Sequence, residues 1–313
     1  MGMDDAGILD QEELALYTRI AHYYYMGSLT QEEIAKRLRM SRQRVNRILG
    51  KCLSLGIVEI HIHGDASGHL ALEAALEKKF GLRAVRVAEQ TPDEEESYAA
   101  LGQCAGRFLA EVIRDGDIIG FSRGRTLSAL VDRLPRVECS NLMATQLMGG
   151  WNNRYNSING DSIVLRFSER IPAEVNMLYS PVLVVDESVR EGILREPYYR
   201  KSYAVLKSCT IAVLGITDID HARFPQMERE WTVPPNAAGE TCARLYDVDG
   251  KPVKTDLDRR IMALELEDLL RIPLRIGVAG MPRKTKAILG ALRGGYINAL
   301  VTDSGVAAAL LDA

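Results

Sequence analysis

Two stretches of this chain carry side chains of the types that bind anions. In RQRVNRILGKC, the residues Arg42, Gln43, Arg44, Asn46, Arg47 and Lys51 share one side of a helical period, and Val45, Ile48, Leu49, Cys52 and Leu53 share the other. Arg, Gln and Asn can form paired hydrogen bonds to guanine or adenine edges, and Arg and Lys neutralise phosphates, so this is a candidate DNA-reading face. The second stretch is Ser122-Arg123-Gly124-Arg125-Thr126, which directly follows the apolar run DIIGF containing Gly120. Glycines there permit close backbone approach, the hydroxyls and a helix N-terminus supply donors, and guanidinium groups fork onto phosphate. The loop lacks both G-x-x-x-x-G-K-[ST] and G-x-G-x-x-G, which argues against a nucleoside triphosphate or a dinucleotide; a plain strand-to-helix turn is the alternative.

Ends of other apolar runs add Gly149 and Gly150 with Arg154 and Asn156 after them, Gly215 and Thr217, Glu240 beside Gly239, and Gly280 with Arg283 and Lys284. Anion-friendly helix starts, a carboxylate for sugar hydroxyls and an asparagine describe a pocket for a phosphorylated polyol better than one for an apolar ligand. Trp151 and Trp231 fit either a lid or a core. His61 and His63 have metal-pair spacing but no third ligand nearby, and Asp247-Val248-Asp249-Gly250 reads as a hairpin turn rather than a calcium loop. Neither a metal nor a cofactor is expected.

The elements that must position these groups fall into two regions. Leu14–Met26 is a helix stopped by Gly27 in a left-handed conformation. Thr30 with Glu33 forms a capping box for a helix over Gln31–Leu38, and Ser41 caps the helix that carries the basic face. Helix, short turn and helix form a helix-turn-helix, and the alternating IVEIHIH of Ile57–His63 would be the wing of a winged helix. The small, polar Gly64–Gly68 then separates the regions, giving a DNA-binding domain at 1–64, a linker at 65–69 and an effector and oligomerisation domain at 70–313. In that last region short apolar runs alternate with helical periods, as in an α/β domain with a mostly parallel sheet covered on both faces. Strands are expected at 84–88, 117–121, 142–148, 181–185, 210–216, 241–246, 274–279 and 298–302.

A length of 313 residues accommodates about two domains, and the formal net charge of -3 carries no global signal for nucleic acid. The positive charge is local: Lys36, Arg37, Arg39, Arg42, Arg44, Arg47 and Lys51 occur with no acidic residue between Ile34 and Val58. Five scattered cysteines without C-x-x-C spacing argue against a disulfide framework, and the acidic N-terminus has no signal-peptide pattern. No apolar run is long enough to span a membrane, so a reduced cytoplasmic location is expected.

The chain also resembles the SorC-type sugar-binding transcriptional regulators, also called the SorC/DeoR family, over nearly its whole length. The resemblance is carried by LYTRIAHYYYMGSLTQEEIAKRLRMSRQRVNRIL, GFSRGRTL, TQLMGG, VREGILREP, VLGI, GETCARLYDVDGKPV and RIGVAGMPRKTKAILGALRGGYINALVTD. It implies an effector domain similar to the NagB/RpiA/CoA-transferase-like folds, which binds sugars, often phosphorylated, and alters operator binding. It implicates Gly120, Ser122, Gly124, Thr126, Arg154, Glu240 and Lys284 in the effector site, and it implies tetramers. Arg123 and Arg125 stand where small or aromatic residues are usual, Glu240 where Asp is more common, Met148 for a usual Asn and Met281 for a usual Gly; these departures bear on which effector fits.

A sugar-responsive regulator that binds pseudo-palindromic operator DNA as a homo-oligomer is therefore expected. The alternatives are a phosphosugar isomerase or deaminase fused to a helix-turn-helix, and a regulator that senses a non-phosphorylated polyol. Sugar isomerisation needs a positioned acid and base, and beyond the linker residue His69 the effector region has only His221 and no evident carboxylate pair at a strand end.

Overall fold

The computed structural model describes residues 10–59, 69–151, 158–219 and 233–313. The chain divides into two compact units, Met1–Ala66 and Ser67–Ala313.

The first unit is helical. α1 (Gln11–Ala21) starts at Asp10, whose carboxylate accepts from the Glu13 N–H, and it runs on as a π-helical turn over His22–Met26. The expected stop at Gly27 needs one correction: Gly27 has φ -90, and the left-handed residue is Ser28, at φ 51. α2 (Gln31–Leu38) has the expected Thr30/Glu33 capping box, and α3 (Arg42–Ser54) has Ser41 accepting from the Arg44 N–H. Ile20, Ile34, Val45, Ile48 and Cys52 close the core between the three helices. Most of the expected wing, with His61 and His63, lies outside the described residues.

The second unit is built on a seven-stranded, wholly parallel sheet in the order β1-β10-β9-β5-β2-β3-β4. Its strands are β1 (Ala84–Ala88), β2 (Ile118–Phe121), β3 (Leu142–Gln146), β4 (Ala173–Asn176), β5 (Ile211–Gly215), β9 (Leu274–Val278) and β10 (Ala299–Asp303). Alternation along the strands sends Ile119, Phe121, Val213, Ile276 and Val301 to one face. There they meet Phe108 of α5 (Glu94–Val112), Leu130 of α6 (Arg125–Asp132) and Phe167 of α7 (Gly160–Arg170). Ala212, Leu214 and Leu300 point to the other face, toward α4 (His69–Phe80), α9 (Pro197–Lys207), α11 (Thr285–Arg293) and α12 (Ser304–Asp312).

Several expected elements differ. Pro181–Val185 forms only isolated bridges, and that edge of the sheet is β4, whose four residues AEVN include no buried one. The helical period over 189–208 is divided between two helices, α8 (Glu187–Arg195) and α9, because Pro197 cannot continue a helix and holds Glu196 extended. The expected strand 241–246 is a hairpin of β7 (Gly239–Thr241) and β8 (Arg244–Tyr246), which pairs with β6 (Thr217–Asp218) in a small antiparallel sheet. Its two-residue turn, Cys242-Ala243, takes positive φ at both positions (50 and 60). Asn-Gly is the usual sequence for that geometry, so the turn gave no local signal.

Sheet order also locates the crevice. From β2 the chain steps outward through β3 to β4, then returns to place β5 on the opposite side of β2 and continues away through β9. The direction of winding therefore reverses between β2 and β5, and in open parallel sheets ligands bind beyond the carboxyl ends of the strands at such a point.

Candidate functional site

The loop after β2 is locked against the end of β5. Ser122 N–H donates to the Val213 carbonyl at 3.0 Å, and Ser122 Oγ accepts from the Gly215 N–H at 2.8 Å. Gly215 permits this approach: a Cβ there would lie 2.5 Å from the Arg123 carbonyl oxygen. Gly124, at φ 136, then opens α6, and no side chain among the described residues caps that helix. Its first N–H groups and positive dipole end consequently face the crevice.

After β9 the chain makes a short 3-10 turn, Pro282–Lys284, into α11. Met281 before it has φ 77, a conformation that costs roughly 1–2 kcal/mol for a residue with a Cβ. Its N–H donates to Asp303 Oδ2, which holds the backbone there. Lys284 is thereby directed inward, donating from Nζ to the Ile216 carbonyl at 2.8 Å. Burial, reinforced by the neighbouring Arg283 charge, lowers its pKa to about 8. Arg283 is bound to Asp218 at 2.8 Å and to Glu94 at 2.6 Å. Glu94 is held below the ordinary carboxylate range by the Tyr98 hydroxyl and then by Arg283.

These groups surround a cleft of about 570 Å³, lined by Glu94, Tyr98, Arg123, Gly124, Arg125, Thr126, Ile158, Gly215, Thr217, Asp218, Arg283 and Lys284, among others. The structure thus brings together Arg123, Gly124, Arg125, Thr126 and Lys284. Arg125 lies 3.4 Å from Glu95 and over the Tyr98 ring, and Arg123 lies over the Trp151 ring with its guanidinium carbon 4.5 Å from the centroid.

Three expected contacts sit behind the wall. Gly120 is packed under Leu147 in the sheet, and a side chain there would collide with it. Ser122 is buried with its oxygen bonded to Gly215. Glu240 is buried in β7 and accepts from the Ala243 N–H, bracing the left-handed turn. Arg154 and Asn156 lie outside the described residues, as do Trp231 and His221. Glu94, Tyr98 and Asp218 are lining residues that the sequence did not single out. Glu94 reads there as an ordinary acid in the first turn of a helix, and only the fold carries it to Arg283.

On α3, Arg42, Gln43, Arg44, Asn46, Arg47 and Lys51 are all exposed. Asn46 Oδ1 accepts from Gln31 of α2 at 3.2 Å, which orients the amide and leaves its NH2 outward. Asp247 accepts from the N–H groups of Asp249 and Lys251 with Gly250 at φ 80, so this segment is the expected turn. Cys209 and Cys242 are pushed up to about 12 by burial, which keeps them as thiols.

Fold and cleft define a two-unit DNA-binding protein with a small-molecule site, and comparison with known proteins gives the class. Residues 65–312 match the sugar-binding domain family, and residues 19–54 match region 4 of sigma-70. The chain is 31% identical to the sorbitol operon regulator of Klebsiella pneumoniae over 96% of its own length and 99% of that protein's. It is 28% identical to the deoxyribonucleoside regulator of Bacillus subtilis, over 97% and 99% of the two chains. The crystal structure of full-length SorC from Klebsiella pneumoniae superposes with a TM-score of 0.74, covering 96% of this chain and 100% of that one. The chain belongs to the SorC family of sugar-binding transcriptional regulators, and its helix-turn-helix is a DNA-binding element. No helix among the described residues is long and apolar enough to cross a membrane.

Proposed function

We propose that the cleft between the ends of β2 and β5 binds a phosphorylated sugar, and that its occupancy sets the affinity of α3 for operator DNA. The phosphate would sit on the N-terminus of α6 beside the Lys284 ammonium. The observation that carries this reading is the convergence of an uncapped helix start and a desolvated cation on one crevice at the winding reversal of the sheet. Thr126 supplies a backbone donor, Arg125 supplies a second charge, and Tyr98 and Thr217 line the part of the cleft left for the sugar.

Binding rather than turnover is the role of the cleft. Its carboxylates Glu94 and Asp218 are both occupied by Arg283, so neither is free to shuttle a proton. The protein acts in the cytoplasm as a homo-oligomer, with Arg42, Gln43, Arg44, Asn46, Arg47 and Lys51 contacting half-sites of a pseudo-palindromic operator about 34–36 Å apart or a multiple of that. An effector couples to DNA only through its different affinity for two arrangements of the recognition helices, commonly ~1–3 kcal/mol.

The test is a thermal-shift screen of the full chain against sugars, polyols and their phosphates. Stabilisation by phosphates that is lost in Lys284→Ala supports the reading. Equal stabilisation by the neutral sugar, which the prior pairing of Arg283 would suit, favours a polyol effector instead, and consumption of any phosphosugar would make the protein an enzyme.

A further inference from the structure

We propose that Glu73, Glu77 and Arg86 close the free edge of β1 against a second copy of this chain, with α4 as the strap that carries two of the three closing groups.

β1 is one margin of the seven-stranded sheet, and its strand partner is β10. An edge strand presents outward N–H and C=O groups that another strand can take up. On β1 charged side chains hold them. The Val85 N–H donates to Glu77 Oε1 at 2.9 Å, and the Val87 N–H donates to Glu73 Oε1 at 2.8 Å, so both point away from β10 and toward α4. Glu73 and Glu77 stand one helical turn apart, about 5.4 Å, which matches the roughly 6.6 Å between alternate residues of a strand. The Val85 carbonyl, on the same side as its N–H, accepts from Arg86 Nη1 at 3.0 Å. Of the four hydrogen-bonding groups that Val85 and Val87 turn outward, three are therefore taken.

The sequence of the strand shows what the open edge would accept. β1 reads AVRVA in either direction. Antiparallel pairing of two copies about Arg86 sets valine opposite valine and alanine opposite alanine, and each pair of Val85 with Val87 would exchange hydrogen bonds through the same N–H groups that Glu77 and Glu73 hold. The two Arg86 side chains would then face each other as an unfavourable like-charge pair. In the single chain Arg86 is instead paired with Glu111 at 3.1 Å and lies over the Phe108 ring. Arg86 thus opposes pairing twice, by holding a carbonyl and by repelling its own copy. Leu76, with the half-buried Leu72 and Phe80, keeps α4 packed on the core independently of the two carboxylates.

The experiment follows the full chain by sedimentation velocity over a concentration series and by amide hydrogen exchange. Glu73→Ala/Glu77→Ala should associate reversibly to particles of twice the wild-type mass, and adding Arg86→Ala should bring that association to lower concentration. Glu73→Gln/Glu77→Gln, whose amide oxygens still accept, should keep the wild-type mass. In the wild type the Val85 and Val87 amides should be strongly protected from exchange although they lie at an edge. An unchanged mass in a triple variant that still melts cooperatively overturns the proposal, as does equal association of the glutamine and alanine pairs. Exchange of the two wild-type amides at the rate of an unstructured chain also overturns it, and that measurement needs no variant to fold.

Discussion

The Lys284 ammonium lies 2.8 Å from the Ile216 carbonyl oxygen, which ties the start of α11 to the residue that follows β5. The link holds a desolvated cation over the point where the winding of the sheet reverses, opposite the N-terminus of α6. Asp218, Glu240, Glu94 and Arg283 are the charged groups that act on it, and burial is the largest influence.

A pH dependence follows from that placement. Lys284 titrates near 8 in the free protein, and an anion binds the protonated form. Sugar phosphates are already fully ionised in this range, since their second pKa is about 6. Affinity should therefore hold below pH 8 and fall above it, approaching about tenfold per pH unit, until bound ligand restores the charge. Titration calorimetry at pH 7 and pH 9 checks this, and a flat profile would place the phosphate away from Lys284.

For the DNA face, Arg44→Ala and Arg47→Ala should each weaken operator binding by roughly 1–3 kcal/mol if a base pair is read. Neither residue has a carboxylate partner among the described residues, so the loss would reflect DNA contact rather than a broken ion pair. Fluorescence anisotropy with labelled operator measures it, and effector binding should be unchanged.

Glu240 makes a separate prediction. Its buried carboxylate braces the Cys242-Ala243 turn, so Glu240→Ala should lower stability by about 1–3 kcal/mol, the cost of leaving the Ala243 N–H without its partner. Chemical denaturation would show it even without ligand. An unchanged midpoint, together with lost sugar affinity, would make Glu240 a ligand contact instead.

Gly215→Ala should damage the cleft through the backbone. The added Cβ meets the Arg123 carbonyl oxygen at 2.5 Å, and no flexible side chain is there to yield. Displacing the 122–124 loop should lower the melting temperature and weaken every phosphorylated ligand together, as thermal shift with and without ligand would record.

Local chemistry made part of this architecture legible. Thr30 with Glu33 and Ser41 mark helix starts through their own side chains, and the apolar runs of β2, β5, β9 and β10 reflect burial on both faces. β4 was not legible, because it is a four-residue edge strand with no buried apolar run, and Val175 is itself exposed. Residue types pointed to Arg123 to Thr126 and Lys284 as candidate anion ligands, and the fold brings them to one cleft. They could not show that Ser122 and Glu240 spend their oxygens on Gly215 and Ala243, since those partners are set by tertiary contact. The contribution of Glu94 was hidden for the same reason, being separated from Arg283 by 189 positions.

The most direct test of the central claim is operator affinity, measured by anisotropy with and without a stabilising sugar phosphate, for the wild type and for Lys284→Ala. The account predicts that the phosphate shifts wild-type affinity by about 5- to 150-fold, that Lys284→Ala binds operator with wild-type affinity in its absence, and that the variant responds little or not at all to it. An undiminished response in Lys284→Ala, or no response in the wild type to a phosphate that demonstrably binds, would contradict it.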